Sequence, residues 1–232
     1  MITLRPAEER GQGRQSWLES RHSFSFADYY DPRHMGFRSL RVINQDIVQP
    51  NHGFPLHPHS DMEILSLVLE GTLQHRDNMG NEGNIPAGAL QRMTAGTGIM
   101  HSEWNPSADD VVHFLQIWLL PERKGLDPGY EQWEPPSGNE LPGWSLLTSN
   151  DARDGSVKVC QDVDLWRVLI QESGQGSFTL RGQRAAWLQV ISGRLRVNGK
   201  QLSAGDGAAV EQEETLIMTS DLGVDFLLFD LG

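Results

Sequence analysis

Cysteine is nearly absent from this chain. Cys160 stands alone in 232 residues, so neither an internal disulfide nor a cysteine-based metal site can form. Its expected place is a buried strand, where it acts as a small hydrophobe. Basic runs are missing as well: 19 Lys and Arg are scattered among 31 Asp and Glu, for a formal net charge of -12. A surface of that sign repels phosphate backbones, which argues against direct nucleic-acid binding. The apolar stretches reach about six residues, far short of the ~20 that a membrane-spanning helix needs. Met1–Pro6 carries no apolar signal region. These absences lead to the expectation of a soluble cytoplasmic protein with no membrane contact. No long amphipathic helix pattern is found. The final absence is positional: none of the eight histidines lies beyond His113.

What is present is the rhythm of an all-β protein. Glycine (24) and proline (12) are spread evenly and punctuate short apolar runs. Leu40–Ile43, Ile64–Leu69, Val111–Leu120, Val157–Val159, Trp166–Ile170, Trp187–Ile191, Leu195–Val197 and Phe226–Leu228 read as strands. Between them lie turn signals such as Met79-Gly80-Asn81, Asp154-Gly155 and Asn198-Gly199, the last well suited to a type I′ hairpin. One short helix is expected near Glu8–Arg14 or Asp109–Val112. From Gly125 to Trp144 prolines and glycines accumulate. Proline fixes φ and lacks a donor, so this stretch reads as a connection and not a central strand.

A weak internal repeat supports two halves. Leu65–Leu69, Gly71 and Pro86-Ala87-Gly88 are echoed by Trp187–Ile191, Gly193 and Ala204-Gly205-Asp206. The expected organisation is a first domain over 1–125, a Pro/Gly-rich linker over 126–150 and a second domain over 151–232. Two similar units suggest two stacked antiparallel β-barrels. A monomer is expected, because no long unpaired apolar strand is evident.

The histidines carry the chemistry. In His57-Pro58-His59, residues i and i+2 of an extended segment face the same side, so two imidazoles can share one cation. His101-Ser102-Glu103 pairs an imidazole with a carboxylate in the same way. Counted by template, roughly 0.3 of a His-x-His and 0.5 of a His-x-Glu arise by chance in such a chain, so neither pair alone is distinctive. Together, three imidazoles and one carboxylate suit a divalent iron, zinc, nickel or copper ion. If the barrel is repeated, only the first copy can hold such a site.

The surroundings of these residues resemble the cupin superfamily, and within it the pirin family. Gly53, His57, His59, Glu63, the strand Ile64–Leu69 and Gly71 follow the first cupin pattern. Pro86-Ala87-Gly88 and His101 follow the second. Two spacings depart from the general pattern in the way that pirins do: Gly53 is closer to His57, and Gly71 is one residue farther from Glu63. Longer pirin-like stretches are His22–Asp31, Leu40–Asn44, His57–Glu63, Asp77–Asn81 and Met93–Glu103. The likeness is dense over residues 1–125 and looser from Asp151 to Gly232.

Much follows from the resemblance. It implies a bicupin, two double-stranded β-helix barrels in one chain, the second free of metal. It implies His57, His59, His101 and Glu103 as ligands of one divalent metal ion, with Fe(II) favoured and Zn, Ni, Co or Cu as other fits. Many cupins use the first-motif glutamate, here Glu63. The pirin pattern moves the carboxylate ligand to Glu103 and leaves Glu63 an orienting or a structural role; Asp61, His75 and Asp77 are further candidates to orient the ligands through hydrogen bonds, though each reads first as a polar residue on a strand end or turn. His22, His34 and His113 are read as structural. The implied activity is cleavage of the flavonol quercetin by dioxygen, an oxidoreductase reaction of the quercetin 2,3-dioxygenase type, releasing carbon monoxide and a depside with Glu103 as base. The alternative is a non-enzymatic, metal-bound interaction protein acting on a transcription regulator or a metabolic enzyme as its protein partner. A cupin isomerase or sugar-binding module is a third reading, which needs a further base that the sequence does not place.

Overall fold

The computed structural model describes residues 1–135 and 143–232. It is nearly all β. The strands, in chain order, are β1 (Ile2–Arg5), β2 (Gly11–Gln15), β3 (Leu18–His22), β4 (Leu40–Val48), β5 (Gly53–His59), β6 (Glu63–Glu70) and β7 (Thr72–Asp77). Then follow β8 (Glu82–Pro86), β9 (Leu90–Thr94), β10 (Ile99–Trp104), β11 (Val112–Leu119), β12 (Gly129–Trp133), β13 (Trp144–Ser149) and β14 (Val157–Lys158). The remainder are β15 (Val163–Ile170), β16 (Gly174–Thr179), β17 (Ala185–Val197), β18 (Lys200–Ser203), β19 (Gly207–Val210), β20 (Thr215–Ser220) and β21 (Val224–Leu231). The short helix expected near residue 8 is a 3₁₀ turn, Ala7–Glu9. At Asp109–Val112 no helix forms, and Val112 opens β11 instead. No helix among the described residues is long and apolar enough to cross a membrane.

The chain divides into two compact units. The first comprises the described residues of Gly11–Asn139 with Val159–Gln161. Its strands form a seven-stranded sheet in the order β12-β9-β6-β11-β4-β3-β2 and a four-stranded sheet in the order β5-β10-β7-β8. The all-β bicupin expectation holds, with one refinement: the two sheets face one another as a jelly-roll sandwich and do not close into a continuous barrel. The closure is made by side chains. Leu73 and Ile85 from the small sheet pack with Val48, Val68, Val112 and Phe114 from the large one, and burial of these branched apolar groups holds the layers together.

The second unit comprises the described residues of Met1–Arg10, Glu140–Lys158 and Asp162–Gly232. Its long strand β17 serves two layers. The first half pairs with β19 and β21, the second half with β18 and β20, and a bulge between Val190 and Ser192 re-aims the strand between them. Leu188, Val190, Leu195, Val197, Met218 and Phe226 fill its core.

The structure redraws the expected domain limits at two places. Residues 1–10 join the second unit, because β1 adds to the edge of β19 with Leu4 opposite Ala208. Within the expected linker, Gly129–Trp133 forms an edge strand on β9, and Trp144–Ser149 belongs to the second unit's sheet. Proline is kept out of both strands, as ladder donors require. The remaining part of that linker, 136–142, lies outside the described residues. Cys160 is half-buried in a bend between β14 and β15, not within a strand.

The internal repeat is real in three dimensions. Gly71 (φ 76°) and Gly193 (φ 82°) occupy matching corners. A Cβ at Gly71 would stand 2.5 Å from the Val111 carbonyl oxygen, and one at Gly193 2.3 Å from that of Gly223. Both corners therefore demand glycine for backbone angle and for space.

Candidate metal centre

The inner face of the four-stranded sheet carries the histidines. β5 and β10 run antiparallel with His57 opposite His101 and His59 opposite Ile99. Because side chains alternate along a strand, His57, His59 and His101 share one face. The register shifts between His101 and Glu103, so that Glu103 lies opposite Phe54. On its other side β10 pairs with β7, which sets Asp77 opposite His101 and His75 opposite Glu103.

The three imidazoles converge. One nitrogen from each of His57, His59 and His101 lies within 4.8 Å of the others. Ring centroids are 4.4 Å apart for His57 and His101, 4.8 Å for His57 and His59, and 4.9 Å for His59 and His101. The His57 Nδ1–H donates to the Pro55 carbonyl at 2.7 Å. A carbonyl can only accept, so the His57 Nε2 carries the lone pair. Burial, reinforced by the neighbouring His101 and His57 rings, pushes His59 down to about 4. Burial and the nearby His57 and His75 rings push His101 down to about 3. Both are neutral near pH 7, with lone pairs available for a cation.

His101 supplies the test of fit. It is 1% exposed, and neither ring nitrogen has a hydrogen-bond partner. Buried polar atoms without partners are costly, and a metal ion answers one of these two. The donor set fits a single divalent cation of the iron-to-zinc series.

Glu103 stands beside this cluster without belonging to the close-packed nitrogen group. Its Oε1 accepts a hydrogen bond from Ser66 Oγ at 2.7 Å, and its Oε2 accepts one from Gln116 Nε2, also at 2.7 Å. Gln116 Oε1 in turn accepts from Trp118 Nε1 at 3.4 Å. The carboxylate is thereby held against the large sheet, and each of its oxygens retains a second lone pair.

The other candidates separate. His75 is fully buried, with its ring 5.4 Å from that of His101. Asp77, next to it, accepts from Asn81 and from the Met79 backbone. Glu63 lies elsewhere. It stands an odd number of residues from Ser66, the β6 residue that reaches Glu103, and so sits on the opposite face of the strand. There it accepts from Thr94 Oγ1 at 3.0 Å, and burial pushes it up to about 7. Asp61 is also turned away: its Oδ1 accepts the Gly125 N–H at 2.8 Å, which ties two loops. His113 meets Gln45 at 3.0 Å within the large sheet.

A cleft of about 390 Å³ opens beside the cluster, lined by His57, His59, Glu103, Gln116, Trp118, Phe26, Tyr29 and Phe54 among others. Its far wall holds His22, whose Nδ1 bonds Asn44 Oδ1 at 2.7 Å, and the hydrogen-bonded pair Ser20 and Asp46. From sequence, His22 reads mostly as structural. Here it lines the cleft. Ser66, Gln116 and Trp118 were not singled out from sequence. The signal that could have found them is a polar residue inside an apolar run: Ser66 within Ile64–Leu69, and Gln116 within Val111–Leu120.

Comparison with known proteins agrees with this geometry. The Pirin family profile matches residues 3–119, and a profile described as the quercetinase C-terminal cupin domain matches residues 146–231. A quercetin 2,3-dioxygenase of Escherichia coli K12 is 48% identical over 231 residues, covering 100% of this chain and 99% of its own. A pirin-like protein of Caulobacter vibrioides is 35% identical, with 99% of both chains covered. The crystal structure of the bacterial pirin YhhW from Escherichia coli in complex with nickel(II) is 47% identical, covers 100% of this chain and 99% of its own, and superposes with a TM-score of 0.95. With its jelly-roll units, its three converging histidines and these full-length matches, the chain belongs to the pirin family of cupin proteins.

Proposed function

We propose that this pirin is a metal-dependent oxygenase of the quercetin 2,3-dioxygenase type, converting a flavonol and dioxygen to a depside and carbon monoxide. One observation carries the reading: three imidazoles converge beside the Glu103 carboxylate on the wall of an aromatic-lined cleft. His57, His59, His101 and a remaining lone pair of Glu103 hold one divalent ion. Fe(II) is the assigned ion; zinc, nickel, cobalt and copper suit the same donors. The nickel(II) in the Escherichia coli relative supports an ion of this series. When bound, such an ion supplies Lewis acidity at the flavonol hydroxyl and open positions for oxygen ligands.

The chain's own residues do the rest. Glu103 takes the proton of the flavonol hydroxyl, within a site where Ser66 and Gln116 fix its orientation. Phe26, Phe54 and Trp118 offer flat apolar surfaces for aromatic rings. The cleft falls within the roughly 300–1,000 Å³ usual for small-molecule sites. The edge of Trp118 meets His59, with ring centroids 5.0 Å apart, and limits that imidazole's rotation. Flavonol plus dioxygen balances depside plus carbon monoxide, so no outside reductant is required.

The test uses protein stripped of metal and reloaded with each ion, then given quercetin in air. Loss of quercetin and release of carbon monoxide above free-ion controls is the expected result. If no ion supports it, the oxygenase reading fails for this substrate.

A further inference from the structure

We infer that His75, backed by Asp77, is a positioning residue for the metal centre: its Nδ1 accepts the N–H of His101, forming a carboxylate–imidazole–imidazole line behind the cation. The inference rests on the reading that His57, His59 and His101 bind a metal ion.

Three buried nitrogens on this wall lack partners: His101 Nδ1, His101 Nε2 and His75 Nδ1. A cation takes one nitrogen of His101, which leaves one N–H to satisfy. Metal-bound histidines nearly always donate that N–H to an acceptor. The unpartnered acceptor beside it is His75 Nδ1, on a ring 5.4 Å away and tilted by 46°. His χ2 torsions are broad, so a small rotation brings the nitrogens together.

Asp77 determines which way His75 presents itself. Its Oδ2 faces His75 Nε2 at 3.3 Å. A carboxylate so placed accepts the His75 Nε2–H, which leaves Nδ1 as the ring's acceptor nitrogen. The β7–β8 turn fixes the whole line, since Asp77 Oδ1 also caps the Met79 and Asn81 N–H groups at 2.9 Å. Tyr130, 4.8 Å from the His75 ring, closes its other side.

The second unit provides an internal control. Counted from the matching corners Gly71 and Gly193, Val197 stands where His75 stands, and it pairs with Met218 and Lys200 as His75 pairs with Glu103 and Gly83. Val197 is fully buried in an apolar core. The same fold packs well with an aliphatic side chain at this place, so packing alone gives no reason for histidine.

The experiment compares His75→Leu, which puts an aliphatic group in place of the ring, with His75→Asn, whose side-chain oxygen takes the place of Nδ1. Nickel affinity is measured by chelator competition, and folding of each metal-free variant by circular dichroism and thermal melting. His75→Leu should weaken nickel binding by about 10- to 100-fold, and His75→Asn should recover most of that loss. A pure packing role predicts the reverse order, with leucine tolerated and asparagine harmful. Wild-type affinity in a folded His75→Leu protein overturns the inference. Should His75→Leu fail to fold, ¹⁵N-histidine spectra of the zinc-loaded wild type decide. A slowly exchanging His101 N–H coupled across to His75 Nδ1 supports the inference, and a rapidly exchanging or uncoupled N–H sinks it. If the wild type itself binds neither nickel nor zinc, the metal-centre reading fails instead, which separates the two outcomes.

Discussion

The two units share one frame and differ in what fills it. Counted from the corner glycines, Leu216 lies opposite Phe178 as His101 lies opposite His57, and Met218 opposite Val197 as Glu103 opposite His75. Position for position, the second unit has Phe178, Leu180, Leu216, Met218 and Val197 where the first has His57, His59, His101, Glu103 and His75. In the second unit Leu195, Val197 and Met218 join one continuous apolar core. In the first, the apolar cluster around Phe114 stops short, and a cleft and a polar wall take the remaining space. A jelly roll does not require a site. A handful of side chains converts a packed interior into one, at a cost in buried apolar contact that the duplicate unit does not bear.

The most severe way to break that comparison is to write the second unit's residue into the first. His101→Leu should abolish divalent-metal binding, as seen by metal analysis after dialysis; full occupancy would refute the site. Next comes Glu103→Gln, which keeps the shape and removes the base. Quercetin turnover should fall by about 10²- to 10⁴-fold, and metal content should be reduced less than by His101→Leu. Turnover within a factor of a few of wild type would remove Glu103 from the reaction.

The matching corners allow a milder test. Gly71→Ala and Gly193→Ala each force a Cβ into a carbonyl oxygen at positive φ, so each should destabilise by at least about 1–3 kcal/mol. Chemical denaturation measures this, and a neutral result at either corner would show that the corner relaxes. Of the two, Gly71→Ala is expected to disturb metal affinity, since its unit holds the histidines.

The smallest expected effect is a pH dependence at Glu63, whose place along the strand, counted from the corner glycine, is taken by Ala185 in the second unit. Burial raises Glu63 from 4.5 to about 7. The folded protein therefore binds a proton more tightly than the unfolded chain, and stability from this group declines as pH rises from about 4.5 through 7. Glu63→Gln should flatten that decline, by on the order of 2–3 kcal/mol at pH 8, with metal affinity unchanged. Parallel stability curves for the two proteins between pH 5 and 8 would contradict the assignment.

Much of this was legible in the sequence, and the reasons are specific. The i, i+2 spacing of His57 and His59 fixes a shared face in any extended strand, so the cluster could be read before the fold was known. Confinement of every histidine to the first 113 residues located the site in one half. Turn glycines marked the repeat, because Gly71 and Gly193 are needed wherever the corner is built. The hidden part was whatever depends on pairing between distant strands. Nothing local tells that β1 adds to β19, or that Ser66 and Gln116 meet Glu103 across the sandwich. The choice between an orienting and a structural role for Glu63 was open for a related reason: only strand alternation, which turns it to the opposite face from Ser66, separates the two.

The pairing of β1 with β19 also bears on the order in which the molecule is made. Leu4 finds its partner at Ala208, some two hundred residues downstream. On a ribosome the first ten residues emerge long before the strand that will receive them, while nearly all of the metal-bearing unit, residues 11–133, is already available to fold. Its long-range pairings can close first, and the leading segment must stay unpaired until the last strands appear. This early-made segment is thus placed among the last, and a bulky tag fused ahead of it would burden the second unit's assembly before it touched the metal.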